Sequence, residues 1–333
     1  MEIQFCAKPV LYWLHCAKAQ GLWFTADDTE LDLRINMTSI FNLPDYDSEF
    51  ARRNTPAEWQ RISAFRNQPQ FGQALKTYHA LMPQFFSSNL LLNKIVKEAW
   101  RFEMLVYTLY LYDSRDPTDS SSGLTLSNLQ RVCTAQNCAS NGRVFAILSL
   151  MRGGGFLVQH RSTDDHRIKH MEPTKKFVTL VEGWNHRIFK IIDAVVPAGQ
   201  LAKAHDVSPR FGWDMRKRGA EALLTGWKLL DPFPEVTHFV SSDGGWMLLL
   251  HCVALALQDG AIIPVSVDLE SFGKRFAVSR SHLRRLLESA YTEGLLDAPP
   301  HNGSDIKLSA RTVAAFLNCM ASELSFYQNH ATT

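Results

Sequence analysis

The sequence predicts a mainly α-helical fold with small β-hairpins (α+β), in which two similar units stand on a scaffold of long helices. Two observations lead to this class. Apolar residues recur with helical spacing through most of the 333 residues. Glycine-ended helices are followed twice by short strand patterns with a polar tip, at 155–171 and 294–308. Because the same order of elements surrounds both hairpins, we expect an internal repeat with pseudo-twofold symmetry.

The clearest unit is centred on residues 138–174. Ser140 is expected to cap a helix with its side chain, and the glycines at 153–155 are expected to end it. Four apolar residues at i, i+3, i+4 and i+7 predict one buried face: Val144, Ile147, Leu148 and Met151. Two strands follow around a tip at 161–165. This order is typical of a winged helix, whose usual partner is double-stranded DNA; an ordinary helix and hairpin of an α+β protein is the alternative.

Composition limits the functional classes. The net charge of +2 is too small for a non-specific nucleic-acid binder, so DNA contact requires local basic patches. No apolar run is long enough to span a membrane and no signal peptide is evident, which favours a cytoplasmic protein without membrane contact. The cysteines are scattered in mostly apolar surroundings, as expected in a reducing compartment: Cys6, Cys16, Cys133, Cys138, Cys252 and Cys319.

Residues 1–80 are predicted to be a helical or irregular N-terminal region. Thr55, followed by proline, marks a helix start, since threonine can cap a helix and proline suits its first turn. That helix is expected to reach Phe65, and another is expected at 72–81. The acidic stretch 26–50 is expected to be rich in turns.

Two winged-helix units with flanking helices are placed at 81–197 and 198–333. The elements expected in the first are a long helix, a polar loop, a short helix, a helix with its hairpin, and a second long helix: 88–112, 113–123, 127–136, 140–171 and 174–196. Those expected in the second are four helices, a hairpin and a last helix: 215–229, 244–257, 267–277, 280–293, 295–308 and 312–327. The long helices are expected to form the scaffold that sets the spacing of the two units.

The repeat is clearest around the hairpins. When Ser140 is aligned with Ser279, the apolar stripe of the first helix coincides with that of the second, and Gly155 falls on Gly294. Coincidence of two helical patterns is the alternative. Because both halves of the chain show the same order of elements, the sequence favours two winged helices in one chain, related as two subunits of a dimer would be.

Residues 162–174 combine an acidic and basic tip, a basic return strand and a threonine before the next helix. This segment resembles the wing of the MarR-type winged helix-turn-helix regulators, and residues 139–144 are similar to the start of their recognition helix. The resemblance covers roughly 85–195 and, more weakly, 240–327. It implies a transcriptional regulator. Such regulators are dimers with one winged helix per subunit, whereas here one chain is predicted to hold both, which leaves a further homodimer open.

The candidate DNA contacts follow from the winged-helix prediction, because the first residues of a recognition helix reach base edges. In the first unit they are three residues of the helix and three of the wing: Ser140, Asn141, Arg143, Arg161, Arg167 and Lys169. In the second they are five residues of the helix: Arg280, Ser281, His282, Arg284 and Arg285. Lys274 and Arg275, on the preceding helix, would suit phosphates. The alternative for Arg284 and Arg285 is a solvated helix face.

The two units differ in where their cations lie. The first has the basic wing, in which Asp164 or Asp165 is expected to bond an arginine and hold the tip in shape. The second has the basic helix and a wing without arginine. This difference leads to the hypothesis that the chain binds an asymmetric DNA site.

Other chemistry is sparse. No catalytic motif is present, so an enzyme is not expected, and no cofactor is implied. His160, His166 and His170 lack the strict spacing of a metal site. Cys133 and Cys138 are interpreted as buried structural thiols, with a redox switch as the alternative. Four tryptophans of the scaffold leave two alternatives, core packing or a pocket for a small aromatic effector: Trp100, Trp184, Trp227 and Trp246.

The predicted function is a sequence-specific, DNA-binding transcriptional regulator that can respond to an effector. Two alternatives stay open. Plasmid replication initiators also carry two winged helices in one chain. The other is a protein-interaction module in which the winged helices no longer touch DNA. It would fit the small net charge and the absence of arginine from the second wing.

Overall fold

A computed structural model describes residues 46–87, 95, 99–162, 165–196, 199–208, 210–258, 261–301 and 305–332. These residues fall within one compact unit. They are mainly helical, with two small two-stranded antiparallel sheets, which confirms the predicted class in its coarse form. Expectations for residues 1–45, including the positions of Cys6 and Cys16, lie outside the described residues.

Among the described residues, three helices precede the repeat: α1 (Asp47–Arg53), α2 (Pro56–Arg66) and α3 (Phe71–Ser87). The predicted start of α2 is confirmed, because the Thr55 hydroxyl accepts the Glu58 N–H while the Glu58 carboxylate accepts the Thr55 N–H. The turn-rich stretch expected at 26–50 is wrong for its last residues, which belong to α1, and its part up to residue 45 lies outside the described residues. The helix expected at 72–81 continues through Pro83 to Ser87.

The first repeat comprises α4 (Ala99–Asp113), α5 (Leu126–Ala135), α6 (Asn141–Gly153), β1 (Leu157–Arg161), β2 (Lys169–Pro173) and α7 (Lys175–Val195). β1 and β2 are antiparallel, with Arg161 opposite Lys169. Thr125, just before α5, forms a bridge to His170. Ser140 stands at the N-cap of α6, but its side chain makes no capping hydrogen bond, so that prediction is wrong. Ser140 is exposed, and water can satisfy the free N–H groups of the first turn instead.

Two helices connect the repeats, α8 (Leu201–Val207) and α9 (Phe211–Leu224). The helix predicted at 215–229 starts earlier and ends five residues sooner than expected. Gly226 is the reason: its φ of +104° turns the chain, and the next N–H bonds back to the carbonyl of Ala222 at 3.0 Å. Trp227 therefore lies in a turn.

The second repeat comprises α10 (Pro234–Val240), α11 (Gly245–Ala256), β3 (Leu257–Gln258), β4 (Ala261–Ile262), α12 (Leu269–Phe276), α13 (Arg280–Thr292) and α14 (Ala310–Thr332). The strand expected from Leu295 to Asp297 is reduced to one antiparallel bridge, Leu296 to Leu308. A second bridge joins Val265, before α12, to Ile306. It corresponds to the bridge that Thr125 makes in the first repeat.

The two repeats share their turn geometry. Asn137, between α5 and α6, has a φ of +52°, and Ala277, between α12 and α13, has a φ of +56°. In each turn the next residue donates its N–H to the carbonyl five residues earlier, at 3.0 and 2.9 Å. Gly155 and Gly294 follow α6 and α13 with φ of +69° and +71°, and the next N–H again bonds five residues back, at 2.8 and 2.9 Å. The predicted glycine ends are confirmed.

The core joins all parts of the described chain. α14 is buried along most of its length and packs against α2, α7 and α9, while α3 packs along α7. A second apolar cluster lies beneath the first hairpin and includes Leu129, Val144, Leu148 and Met151. Within the described parts, no helix is both long and apolar enough to cross a bilayer.

Candidate nucleic-acid interface

The first candidate recognition helix, α6, is anchored by the predicted apolar stripe, whose four residues are all buried. Its exposed N-terminus carries Ser140, Asn141 and Arg143. The Asn141 side-chain oxygen accepts a bond from the Thr134 hydroxyl at 3.2 Å, which ties α6 to α5. The Arg143 guanidinium lies over the Trp100 ring, 5.6 Å from its centroid. These contacts hold the polar end of α6 in one orientation.

The outer face of α6 is apolar where that of α13 is cationic. Phe145 is 57% exposed. In the alignment of Ser140 with Ser279, Phe145 and Ala146 fall on Arg284 and Arg285. Equivalent positions of the two helices therefore offer different chemistry to a partner.

The tip of the first hairpin is held by one carboxylate. Asp165 accepts the Arg167 backbone N–H at 2.9 Å and its guanidinium at 3.1 and 3.3 Å. These hydrogen bonds hold the pKa of Asp165 below its usual range. The prediction that an aspartate shapes the tip is confirmed for Asp165, while Asp164 lies outside the described residues. The Arg167 side chain is 92% exposed, so its charge remains accessible.

Two further cations of the first hairpin face each other. Arg161 and Lys169 are directly opposite in the antiparallel register, and both are exposed. Like charges at such a position destabilise a hairpin. An anion bound between the two side chains would remove that repulsion, so this pair is suited to a phosphate.

The second candidate recognition helix, α13, has an equivalent anchor of buried Leu283, Leu286, Leu287 and Ala290. Its cap is complete, since the Ser279 hydroxyl accepts the His282 N–H at 3.2 Å. Arg280, Ser281, Arg284 and Arg285 are exposed on the other side. Arg284 forms an ion pair with Glu288 at 3.4 Å, in which both side chains are about half exposed. The pair is weak enough to open for a ligand.

The remaining predicted contacts are less available. His282 is half-buried, and its Nε2 is enclosed without a hydrogen bond. Lys274 is exposed but forms an ion pair with Glu270 at 2.7 Å. The Arg275 guanidinium lies over the Phe276 ring at 5.6 Å. The structure thus brings Arg280, Arg284 and Arg285 together as the main exposed cations of the second unit.

One cation was missed by the sequence reasoning. Arg131 is exposed on α5, where its Nη2 donates to the Asn128 side chain at 3.1 Å. It lies on the helix that corresponds to α12, which carries Lys274 and Arg275. The repeat itself was the available signal, because it predicts a phosphate-facing cation on both of these helices.

A cavity of about 700 Å³ lies between the two units. Its wall includes Ala146 and Leu150 of α6 and Ala277 and Val278 of the turn before α13. Aromatic side chains form much of the remainder: Tyr78, Phe85, Phe86, Phe102, Trp184, Trp227, Trp246, Phe326 and Tyr327. Trp100 is not part of this wall. Trp184, Trp227 and Trp246, for which both core packing and a pocket were considered, therefore do line a cavity.

The cavity wall is mainly apolar, but it also carries charged side chains: Arg101, Glu103, Arg216, Lys228, Asp231, Asp243 and Glu323. The Tyr78 hydroxyl donates to Glu323 at 3.0 Å, and burial raises the pKa of Glu323 to about 7. Lys228 and Glu103 form an ion pair at 2.6 Å. An aromatic wall with a few fixed polar groups is typical of small-molecule sites.

The described cysteines and the hairpin histidines have the following surroundings. The described cysteines, all free, are Cys133, Cys138, Cys252 and Cys319. A hydrogen bond to Cys138, together with burial, raises the pKa of the Cys133 thiol. His170 of the hairpin is buried, whereas His160 lies 3.8 Å from Glu172. The redox role of the thiols stays untested.

Comparisons with protein-family models, curated proteins and solved structures find no match to this chain. The resemblance to MarR-type regulators therefore stays a prediction, as do the domain boundaries and the DNA contacts.

Proposed function

We propose that this protein is a sequence-specific, DNA-binding transcriptional regulator with two winged helix-turn-helix units in one chain. The observation that carries the proposal is the shared geometry of the two repeats. Both place a positive-φ turn before an exposed helix and a left-handed glycine after it. In both, an antiparallel bridge joins the returning segment of the hairpin to a residue shortly before the preceding helix, Thr125 before α5 and Val265 before α12. This is the arrangement that presents a helix to the major groove.

The charge distribution supports DNA as the partner. The three exposed arginines of α13 lie outside its buried stripe, so they can reach a groove without unfolding the helix. Arginine reads guanine through two parallel hydrogen bonds. In the first unit the same task falls to Asn141 and Arg143, while Phe145 can contact a thymine methyl group.

The two units are not equivalent, and an asymmetric DNA site follows from that. The first unit combines a basic hairpin with a helix that is partly apolar, and the second combines a basic helix with a hairpin that lacks arginine. We infer half-sites of different sequence: a guanine-containing one under α13 and an A·T-rich one under α6.

The cavity provides a means of regulation. It touches both α6 and the turn before α13, so a ligand inside it would bear on the relative placement of the two helices. We infer a mainly apolar, aromatic effector. A ligand changes DNA affinity only through its different affinity for the free and DNA-bound arrangements.

Selection of bound sequences from random duplex DNA tests the proposal. The expected product is one asymmetric consensus with two unlike half-sites. A perfectly palindromic consensus would contradict the asymmetry, and failure to enrich any sequence would contradict the function.

A further inference from the structure

A group of metal-binding side chains lies away from the candidate DNA-binding helices, where α8 packs on α7. His186 comes from α7, and His205 and Asp206 come from α8. One ligand atom from each lies within 4.8 Å of the other two. Asp193 of α7 holds the start of α8 in place, because its carboxylate accepts hydrogen bonds from the N–H groups of Leu201 and Ala202 at 2.8 and 2.9 Å.

A carboxylate outside the group orients one of the imidazoles. The Nε2 of His205 is 2.5 Å from Glu182, and Glu182 also accepts a bond from Arg216 at 2.8 Å. Because the Nε2 of His205 is engaged by Glu182, the other ring nitrogen, Nδ1, is the one that can bind a metal ion.

The Nδ1 of His205 has no hydrogen-bond partner among the described residues. The His205 side chain is only 10% exposed, and its Nδ1 is enclosed and makes no hydrogen bond. The nearest acid oxygen is that of Asp206, at 3.8 Å. A metal ion between this nitrogen and the Asp206 oxygen would satisfy both atoms. A carboxylate that bonds the other ring nitrogen of a histidine is the usual support of a metal ligand.

The third ligand completes the geometry. The Nδ1 of His186 lies 3.1 Å from the same Asp206 oxygen. Ligand atoms around tetrahedral zinc are about 3.3 Å apart, given bonds of about 2.0 Å. The His205 Nδ1 and the Asp206 oxygen, 3.8 Å apart, would therefore have to move closer together when a metal binds.

We propose that His186, His205 and Asp206 bind a divalent transition metal, with zinc the best match to two nitrogens and one oxygen. Glu182 is the orienting residue. Asp206 is 62% exposed, which leaves room for water as a fourth ligand. The metal would clamp the connecting helix α8 to α7, and this proposal does not depend on DNA binding.

Titration of the full chain with cobalt and zinc, after chelator treatment and under reducing conditions, tests the site. We expect one saturable site whose cobalt spectrum has visible bands but no thiolate charge-transfer band. Asp206→Asn should weaken binding by more than about tenfold, and Glu182→Gln by about 10–100-fold. Asp214→Asn, at an exposed position of α9, is the matched control and should bind as the wild type does.

Thermal unfolding gives a second readout. Zinc should raise the Tm of the wild type and of Asp214→Asn but not that of Asp206→Asn, because a ligand stabilises only the form that binds it. Absence of saturable binding, a thiolate band, or equal affinity of Asp206→Asn and wild type would each overturn the proposal.

Discussion

Replacing both Arg284 and Arg285 by alanine separates the proposed DNA-binding role of α13 from its role in the fold. Both side chains are exposed. The one ion pair that Arg284 makes, with Glu288 at 3.4 Å, is half exposed and contributes about 0.3–0.5 kcal/mol at most. The double variant should therefore unfold within about 0.5 kcal/mol of the wild type.

DNA binding should change much more. If each arginine makes a bidentate contact to guanine, the pair contributes about 2–6 kcal/mol of discrimination for the selected sequence. If instead they contact phosphates, affinity falls for all sequences and the salt slope decreases by about 1 for each arginine. Fluorescence anisotropy with the selected duplex and with a scrambled duplex, at two salt concentrations, distinguishes these two roles.

A matched control removes two cations elsewhere. Lys203 of α8 and Lys217 of α9 are exposed lysines outside both repeats, and their double alanine variant lowers the net charge equally. It should retain nearly all of the affinity for the selected duplex. Equal losses in the two double variants would refute the assignment of α13 as a recognition helix.

Three further predictions concern the first hairpin, the second turn and the cavity. Arg161→Ala should weaken DNA binding more than Lys307→Ala does. It should also stabilise the free protein by a few tenths of a kcal/mol, because it removes a like-charge pair. A loss of stability in chemical unfolding would count against this. Gly273→Ala should lower the Tm, since the new Cβ would lie 2.4 Å from the Val278 carbonyl oxygen. The free-energy cost of this clash should exceed the gain in helix propensity of about 1 kcal/mol. An unchanged Tm would disprove this prediction. The raised pKa of Glu323, about 7 against 4.5, means that stability is fully present below about pH 4.5 and is lost as pH rises through 7. Glu323→Gln should remove that loss, by on the order of 1–3 kcal/mol at pH 8, and parallel stability–pH curves for wild type and variant would contradict it.

The local features of the fold could be predicted from the sequence because each depends on a few adjacent residues. The apolar stripes placed α6 and α13, and the glycines at 155 and 294 placed their ends. Thr55 gave the start of α2 through its capping box. Ser140 shows the limit of this reasoning, because a capping residue type fixes the position of a helix start but not the hydrogen bond of its side chain.

The features that require long-range packing could not be predicted. Ala146 and Val278 line the same cavity although they lie 132 positions apart in the sequence. His186 and His205 lie on different helices, and only the return of α8 onto α7 brings them together. Nothing in the spacing of these residues indicates the contact.

The salt dependence of binding to duplex DNA tests the central claim most directly. For the wild type we expect tighter binding to the selected duplex than to a scrambled one by about 10³-fold or more, with log Kd rising linearly with log salt at a slope of about 0.9 for each phosphate contacted. Binding that does not change with salt, or equal affinity for the two duplexes, would contradict the account of this chain as a sequence-specific DNA-binding regulator.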